Sequence, residues 1–329
     1  MSEEKKNNSK KDEFNSSFPT QKIGLALGGG VARGFAHIGV LKALKKYNIR
    51  PTIVAGTSIG ALVGGCYLTN QLEELEEWAL SLNRRKIFGY LDFRVRSAGL
   101  IGGKRLTKLM EEYFGDMNIE DLPCPFVAIA TDMVTGHEVW LRRGNFIEAV
   151  RASFALPGVF PPVEIQQRNL IDGALVNPVP VSTALALGSR LNIAVDLNAD
   201  LIGKVAKPGQ KYQTIAGFDV YDDKDVSPED QKKFSGSVPK RLFRRESNNP
   251  SLFGVMVSAL NIIQDRLTRS RLAGDPPDIH LKPQIGHIGL LEFEKAEELI
   301  RLGEEEVERN IESILAAMAV LLPADIGQD

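Results

Sequence analysis

Cysteine and histidine are both scarce in this chain, with two and four copies among 329 residues. Cys66 and Cys124 lie in apolar settings and offer neither a disulfide framework nor metal-ligand spacing, so they read as buried thiols. No charge sign predominates: 40 Lys and Arg face 42 Asp and Glu, a net charge of −2, which gives no global argument for nucleic acid as a partner. Long apolar runs are missing as well. The longest, Ile53 to Leu68, is interrupted by Gly56, Gly60, Gly64 and Gly65 and is too short to span a bilayer. No signal-peptide pattern opens the chain and no internal repeat runs through it. With the reduced thiols, this sets the expectation of a cytoplasmic protein, soluble or at most peripheral to the inner face of a membrane. What remains is ordinary globular composition, 43% apolar and 25% charged, with length enough for a sizeable core.

The first 20 residues are polar and aperiodic and read as a disordered tail. From Lys22 onward β and α signals alternate. Buried strands are expected at Ile23–Leu27, around Thr52–Val54, at Phe126–Thr131, Glu138–Leu141 and Leu191–Leu197, and a last one at Ile279–Leu281. Helices are expected at about Ala32–Tyr47, from Ala61 through Leu68, and at Gln71–Leu82, Arg105–Phe114, Phe146–Phe154, Pro178–Leu187 and Leu252–Leu272, the last an amphipathic helix with Leu252, Val255, Met256, Ala259, Leu260, Ile263 and Leu267 at helical spacing. A long helical segment, Phe293–Leu322, carries a stripe of Val307, Ile311, Ile314, Leu315 and Met318. Ile165 to Ile171 reads as a hairpin turning at Gln167-Arg168-Asn169. Residues 83–103 are a basic surface loop. Such alternation implies one domain over 21–322, a three-layer α/β/α architecture with a mainly parallel central sheet, followed by a short tail at 323–329. Residues 199–250 break the pattern as a polar insertion. Its basic cluster, Lys240, Arg241, Arg244 and Arg245 around Leu242 and Phe243, suits either an anionic membrane surface or plain solvation.

Gly56-Thr57-Ser58-Ile59-Gly60 sets a serine between two glycines, after a strand and before a helix. On such a corner the hydroxyl is exposed at the positive end of the helix dipole, the geometry of an acyl-transfer nucleophile. A structural turn is the other reading. Gly28-Gly29-Gly30-Val31-Ala32-Arg33-Gly34 follows the first strand. Arg33 occupies the third glycine position of a dinucleotide fingerprint, and Phe35 follows Gly34 where a P-loop needs lysine, so both phosphate readings fail. Consecutive amides at Gly28, Gly29 and Gly30 beside a nucleophile would instead form an oxyanion hole, where each donor typically contributes about 2.7–4 kcal/mol.

A proton acceptor is harder to place. His37 reads as a packed helix residue, and His137, His280 and His287 have no partnered setting that reads as catalytic. Asp172-Gly173-Ala174 ends a strand at a turn and is the better base, with a helix N-cap or Asx-turn as its bland alternative. Asp132 and Asp196 also end strands and compete. A carboxylate near pKa 3.9 cannot create free alkoxide, so proton removal must accompany attack.

In order along the chain, the Gly28–Gly34 loop, Gly56–Gly60 and Asp172-Gly173-Ala174 resemble the patatin-like phospholipase family, in particular its bacterial branch related to neuropathy target esterase. Arg151-Ala-Ser153-Phe-Ala-Leu-Pro157 through Val163 resembles the family block before the aspartate. Gln264-Asp265-Arg266 and Arg269 through Pro277 resemble its downstream segment. The likeness covers about Lys22 to Arg301. It implies a dyad of Ser58 as nucleophile and Asp172 as general base and acid, with no catalytic histidine. It implies oxyanion donors from Gly28, Gly29 and Gly30, a supporting role for Arg33 in that loop, and structural support from Gly56, Gly60 and Gly173. No metal or organic cofactor is implied. The activity implied is hydrolysis of lipid acyl esters, of phospholipase A or lysophospholipase type. A weakly catalytic lipid-binding protein and an acyltransferase are the alternatives.

Overall fold

A computed structural model describes residues 21–82, 104–200 and 252–322. The N-terminal tail, the loop at 83–103, most of the insertion with its basic cluster, and the C-terminal tail lie outside the described residues. The strands are β1 Ile23–Leu27, β2 Ile53–Thr57, β3 Phe126–Asp132, β4 Glu138–Leu141, β5 Val163–Ile165, β6 Arg168–Asp172, β7 Leu191–Val195 and β8 Ile279–Leu281. The helices are α1 Ala36–Lys46, α2 Ile59–Leu68, α3 Leu72–Leu80, α4 Lys104–Phe114, α5 Phe146–Ser153, α6 Val181–Ala186, α7 Leu252–Gly274 and α8 Ala296–Leu321. Among the described residues no helix is long and apolar enough to cross a membrane.

Strands β3, β2, β1, β7 and β8 lie side by side in parallel. Every residue of β1, β2, β3 and β7 is buried, as expected when helices cover both faces. The two faces differ in bulk because large and small residues alternate along the strands. Ile23, Leu25, Leu27, Val54, Ile193 and Val195 point into the main core. Ala26 and Ala194 point the other way, towards Val179, Val181 and Leu272, while Ile53 and Ala55 meet Ala184 and Leu187. Small side chains on this second face let the six-residue α6 lie close to the sheet. The result is a three-layer α/β/α sheet of mixed direction, parallel through its centre. Its antiparallel part is local: β4 and β6 both run against β3, and β5 pairs with β6.

Four sequence expectations need correction. The helix expected from Ala32 begins as a 3-10 turn, Val31–Phe35, before α1 takes over, because Val31 adopts φ 51° and delays regular helix. The β5–β6 hairpin turns at Gln166-Gln167, both at positive φ (51° and 63°), so Arg168 and Asn169 belong to β6. This is the two-residue loop whose twist matches paired strands, here made without glycine. In α7 the covered face is polar: Asn261, Gln264, Asp265 and Thr268 are buried, whereas Val255 and Ile263 are about half exposed. That helix packs against Gly173–Leu175, the turn following Asp172. In α8, Val307 and Ile314 are buried but Leu315 is 48% exposed, which narrows the apolar stripe.

Candidate active site

The pairing of β3 explains how two distant residues meet. Ala128 and Ile129 pair with both β2 and β4, while Ala130 and Thr131 pair with both β4 and β6. Strands β2 and β6 therefore share one edge of β3, end to end and running towards each other. Thr57, the last residue of β2, is level with Ile129, and Asp172, the last of β6, is level with Ala130. Ser58 follows Thr57 into the gap. Its Oγ donates to Asp172 Oδ2 at 2.9 Å, with both side chains buried.

Ser58 itself has φ 57° and ψ −124°, a region that a non-glycine residue enters at a cost of about 1–3 kcal/mol. Two contacts hold it there. Its N–H donates to Ser153 Oγ at 2.8 Å, and its carbonyl accepts the first amide bonds of α2. The helix starts immediately after Ser58, so the positive end of its dipole lies at the hydroxyl. Gly60 makes the corner sterically possible: a Cβ there would stand 2.2 Å from the Leu27 carbonyl oxygen. Gly56 similarly faces the Ala61 backbone.

Asp172 is both an N-cap and the partner of Ser58. Oδ1 accepts from Ala174 N–H at 2.8 Å, fixing the carboxylate plane, while Oδ2 faces Ser58. Its backbone is held from two sides, by Thr131 Oγ1 donating to its carbonyl at 2.8 Å and by its N–H donating to Ala155 O at 3.0 Å. Gly173 lets the chain pass close to β3, since a Cβ there would stand 2.2 Å from Ile129 O. Burial pushes the Asp172 carboxyl up to about 6, against the Ala174 N–H and the Ser58 hydroxyl, which pull it down.

The glycine loop lies beside this pair, with a Cβ at Gly29 placed 3.5 Å from Ser58 Cβ. The expectation of three free amides is corrected. Gly28 N–H donates to Val195 O at 3.1 Å and Gly29 N–H to Pro178 O at 3.0 Å, which ties both into the scaffold. Only the Gly30 amide of the three has no acceptor among the described residues. The loop is clamped from behind. Ala32 N–H donates to Leu290 O, and the fully buried Arg33 donates Nε–H to Ile288 O at 2.7 Å. Burial draws the Arg33 guanidinium down to about 10, still charged at neutral pH, with the carboxylates of Glu292 and Asp200 opposing that shift. Its Nη1 and Nη2 have no acceptor among the described residues. Arg33 thus anchors the loop to the segment after β8.

His37 is buried, and burial lowers it to about 4, so the ring is neutral and its Nε2–H donates to Gly28 O at 2.8 Å. It buttresses the loop and does not reach Ser58. Asp132 accepts from the Val134 and Thr135 amides, which hold its carboxyl below the usual range. Asp196 accepts from Asn198 N–H. Both competitors are absorbed by their own turns. His287 pairs with Glu298, and His280 lies 3.6 Å from Asp196. Cys66 and Cys124 are buried free thiols, and burial pushes both thiol pKa values up, so they stay protonated.

Sequence reasoning missed three contributors: Ser153, Thr131 and Asn177, whose carbonyl accepts Thr57 Oγ–H at 2.8 Å and whose amide reaches Gly173 O. Nothing in a lone serine, threonine or asparagine marks a partner more than forty residues away.

Residues 25–185 match the family model for patatin-like phospholipase. An uncharacterized NTE family protein of Mycobacterium tuberculosis is 33% identical over 322 residues, covering 86% of this chain and 89% of that protein. Neuropathy target esterase sws of Drosophila melanogaster is 34% identical over 184 residues, 54% of this chain and 13% of its own length. The matched stretch holds the glycine loop, Ser58 and Asp172, and the relative from Mycobacterium tuberculosis aligns along most of both chains. The chain belongs to the patatin-like phospholipase family.

Proposed function

We propose that the protein hydrolyses acyl esters of lipids, with Ser58 as nucleophile and Asp172 as the only proton carrier. The observation that carries this reading is the 2.9 Å hydrogen bond between Ser58 Oγ and Asp172 Oδ2, in a site where no imidazole is bonded to Ser58. Ser58 Oγ attacks the ester carbonyl as its proton passes to Asp172 Oδ2, and the carbonyl π pair moves onto oxygen. The Gly30 amide and the dipole at the start of α2 stabilise that oxyanion. Collapse expels the alkoxide, which takes the proton from Asp172 and leaves as alcohol, with an acyl-Ser58 behind. Water then repeats the sequence, giving up a proton to Asp172 and releasing the fatty acid. An Asp172 carboxyl raised towards 6 is a stronger base than a free aspartate, yet ionised at neutral pH.

The substrate class we propose is a phospholipid or lysophospholipid, reached by peripheral contact with an anionic membrane surface. Two features favour a lipid surface: half-exposed Val255, Ile262 and Ile263 on α7, which packs on the turn after Asp172, and the basic sequence 240–245 preceding that helix. Incubation with phospholipids, lysophospholipids and acylglycerols in anionic and in zwitterionic vesicles, followed by mass spectrometry, tests this. Free fatty acid and lysolipid, formed faster on anionic vesicles, are the expected products. New esters would identify an acyltransferase, and unchanged lipids a binding protein. The same assay read against pH has a sign fixed by Asp172. kcat/KM rises as the carboxyl deprotonates, tenfold per pH unit well below about 6, and levels off above it. A falling profile through that window contradicts a carboxylate base.

A further inference from the structure

Strands β2 and β6 meet head-on along β3, and head-on strand ends cannot hydrogen-bond to each other. Neither the Ser58 nor the Asp172 backbone N–H has its acceptor in the sheet. Both are taken by one three-residue stretch where α5 ends. Ser58 N–H goes to Ser153 Oγ at 2.8 Å, and Asp172 N–H goes to the Ala155 carbonyl at 3.0 Å. Ser153 is completely buried and Ala155 almost so, which sets both acceptors away from bulk solvent. Ala155 N–H is in turn fixed by Ala152 O, so the stretch is itself tied to the helix.

We propose that Ser153 is a positioning residue for the proposed dyad: with Ala155 it forms a clamp that sets the spacing between Ser58 and Asp172. The clamp rests on the hydrolase reading above. Ala155 acts through its carbonyl and needs no particular side chain, whereas Ser153 acts through its hydroxyl, the one part a substitution removes. Without that acceptor the Ser58 amide is left unbonded in the interior, and the Thr57–Ser58 peptide rotates out of its strained conformation. The hydroxyl then draws away from Oδ2. Ser153 touches neither substrate nor the reacting atoms, so the loss falls on the acylation rate and leaves binding alone.

Pre-steady-state acylation by a p-nitrophenyl ester, followed across pH in the full chain, tests the clamp. Ser153→Ala should slow the burst about 10- to 100-fold with KM within about twofold. It should also move the acid limb to higher pH, because Asp172 loses the hydroxyl donor that holds its carboxyl down. Ser153→Thr keeps the acceptor and should restore both rate and limb. Should Ser153→Ala not fold, Ser153→Cys keeps the volume with a weaker acceptor and should give the same two changes at reduced size. A folded Ser153→Ala or Ser153→Cys with a wild-type burst and an unmoved limb overturns the clamp alone. A wild-type burst that survives Ser58→Ala overturns the hydrolase reading, and the clamp with it.

Discussion

Asp172→Asn is expected to lower ester turnover by about 10⁴-fold, the loss typical of a triad aspartate made neutral. Asparagine can keep the geometry, since its Oδ1 can accept from Ala174 N–H while Nδ2 faces Ser58. What it cannot do is take a proton. Because no histidine is bonded to Ser58, no second group stands by to share the task. The same substitution should stabilise the fold. Burial favours the neutral carboxyl, so the native state gains from protonated Asp172 below about pH 4 and loses that gain as pH rises through about 6. At pH 8 asparagine avoids the buried charge, a gain on the order of 1–3 kcal/mol. Thermal unfolding of both proteins at pH 8 and at pH 4 checks it: Tm should be higher in the variant at pH 8 and nearly equal at pH 4. Retained turnover would mean that another base acts. A Tm difference unchanged between the two pH values would mean that the carboxyl is not buried as described.

Gly60→Ala should be the more disruptive small change. The added Cβ would stand 2.2 Å from the Leu27 oxygen and 2.7 Å from its carbon, backbone atoms at the end of β1 that no rotamer change can move. Either α2 backs away from the sheet or β1 shifts, and Ser58 and the glycine loop are attached to those two ends. Overpacking of this kind costs about 1–3 kcal/mol. A displacement of about 1 Å at the proposed nucleophile, Ser58, should lower the rate about 10²-fold. Circular dichroism melts and steady-state kinetics on the same preparation should show both losses together. An alanine variant with wild-type kcat/KM would mean that the corner tolerates more movement than the described packing allows.

Much of this architecture is legible in local sequence because local physics decides it. Buried parallel strands read as short continuous apolar runs, which is why β1 and β8 coincide with their expected bounds. Glycine approaches such as Gly60 against Leu27 leave glycine as the visible mark of a contact that has no side chain. Three things resist local reading. The head-on meeting of β2 and β6 is a property of strand pairing: Asp172 ends a strand in either direction, and only the antiparallel course of β6 brings it level with Ser58. The loss of Gly28 and Gly29 as free donors depends on the carbonyls of Val195 and Pro178, more than a hundred residues away. In α7 the apolar periodicity marks a helix correctly and its buried face wrongly, since Asn261, Gln264, Asp265 and Thr268 are the covered residues.

Fluorophosphonate labelling with mass-spectrometric mapping of the modified residue tests the proposed dyad most directly. The expected result is one adduct, on Ser58, absent from Ser58→Ala and formed far more slowly in Asp172→Asn. Labelling of Ser58→Ala at the wild-type level, or an adduct on a different serine, would contradict it.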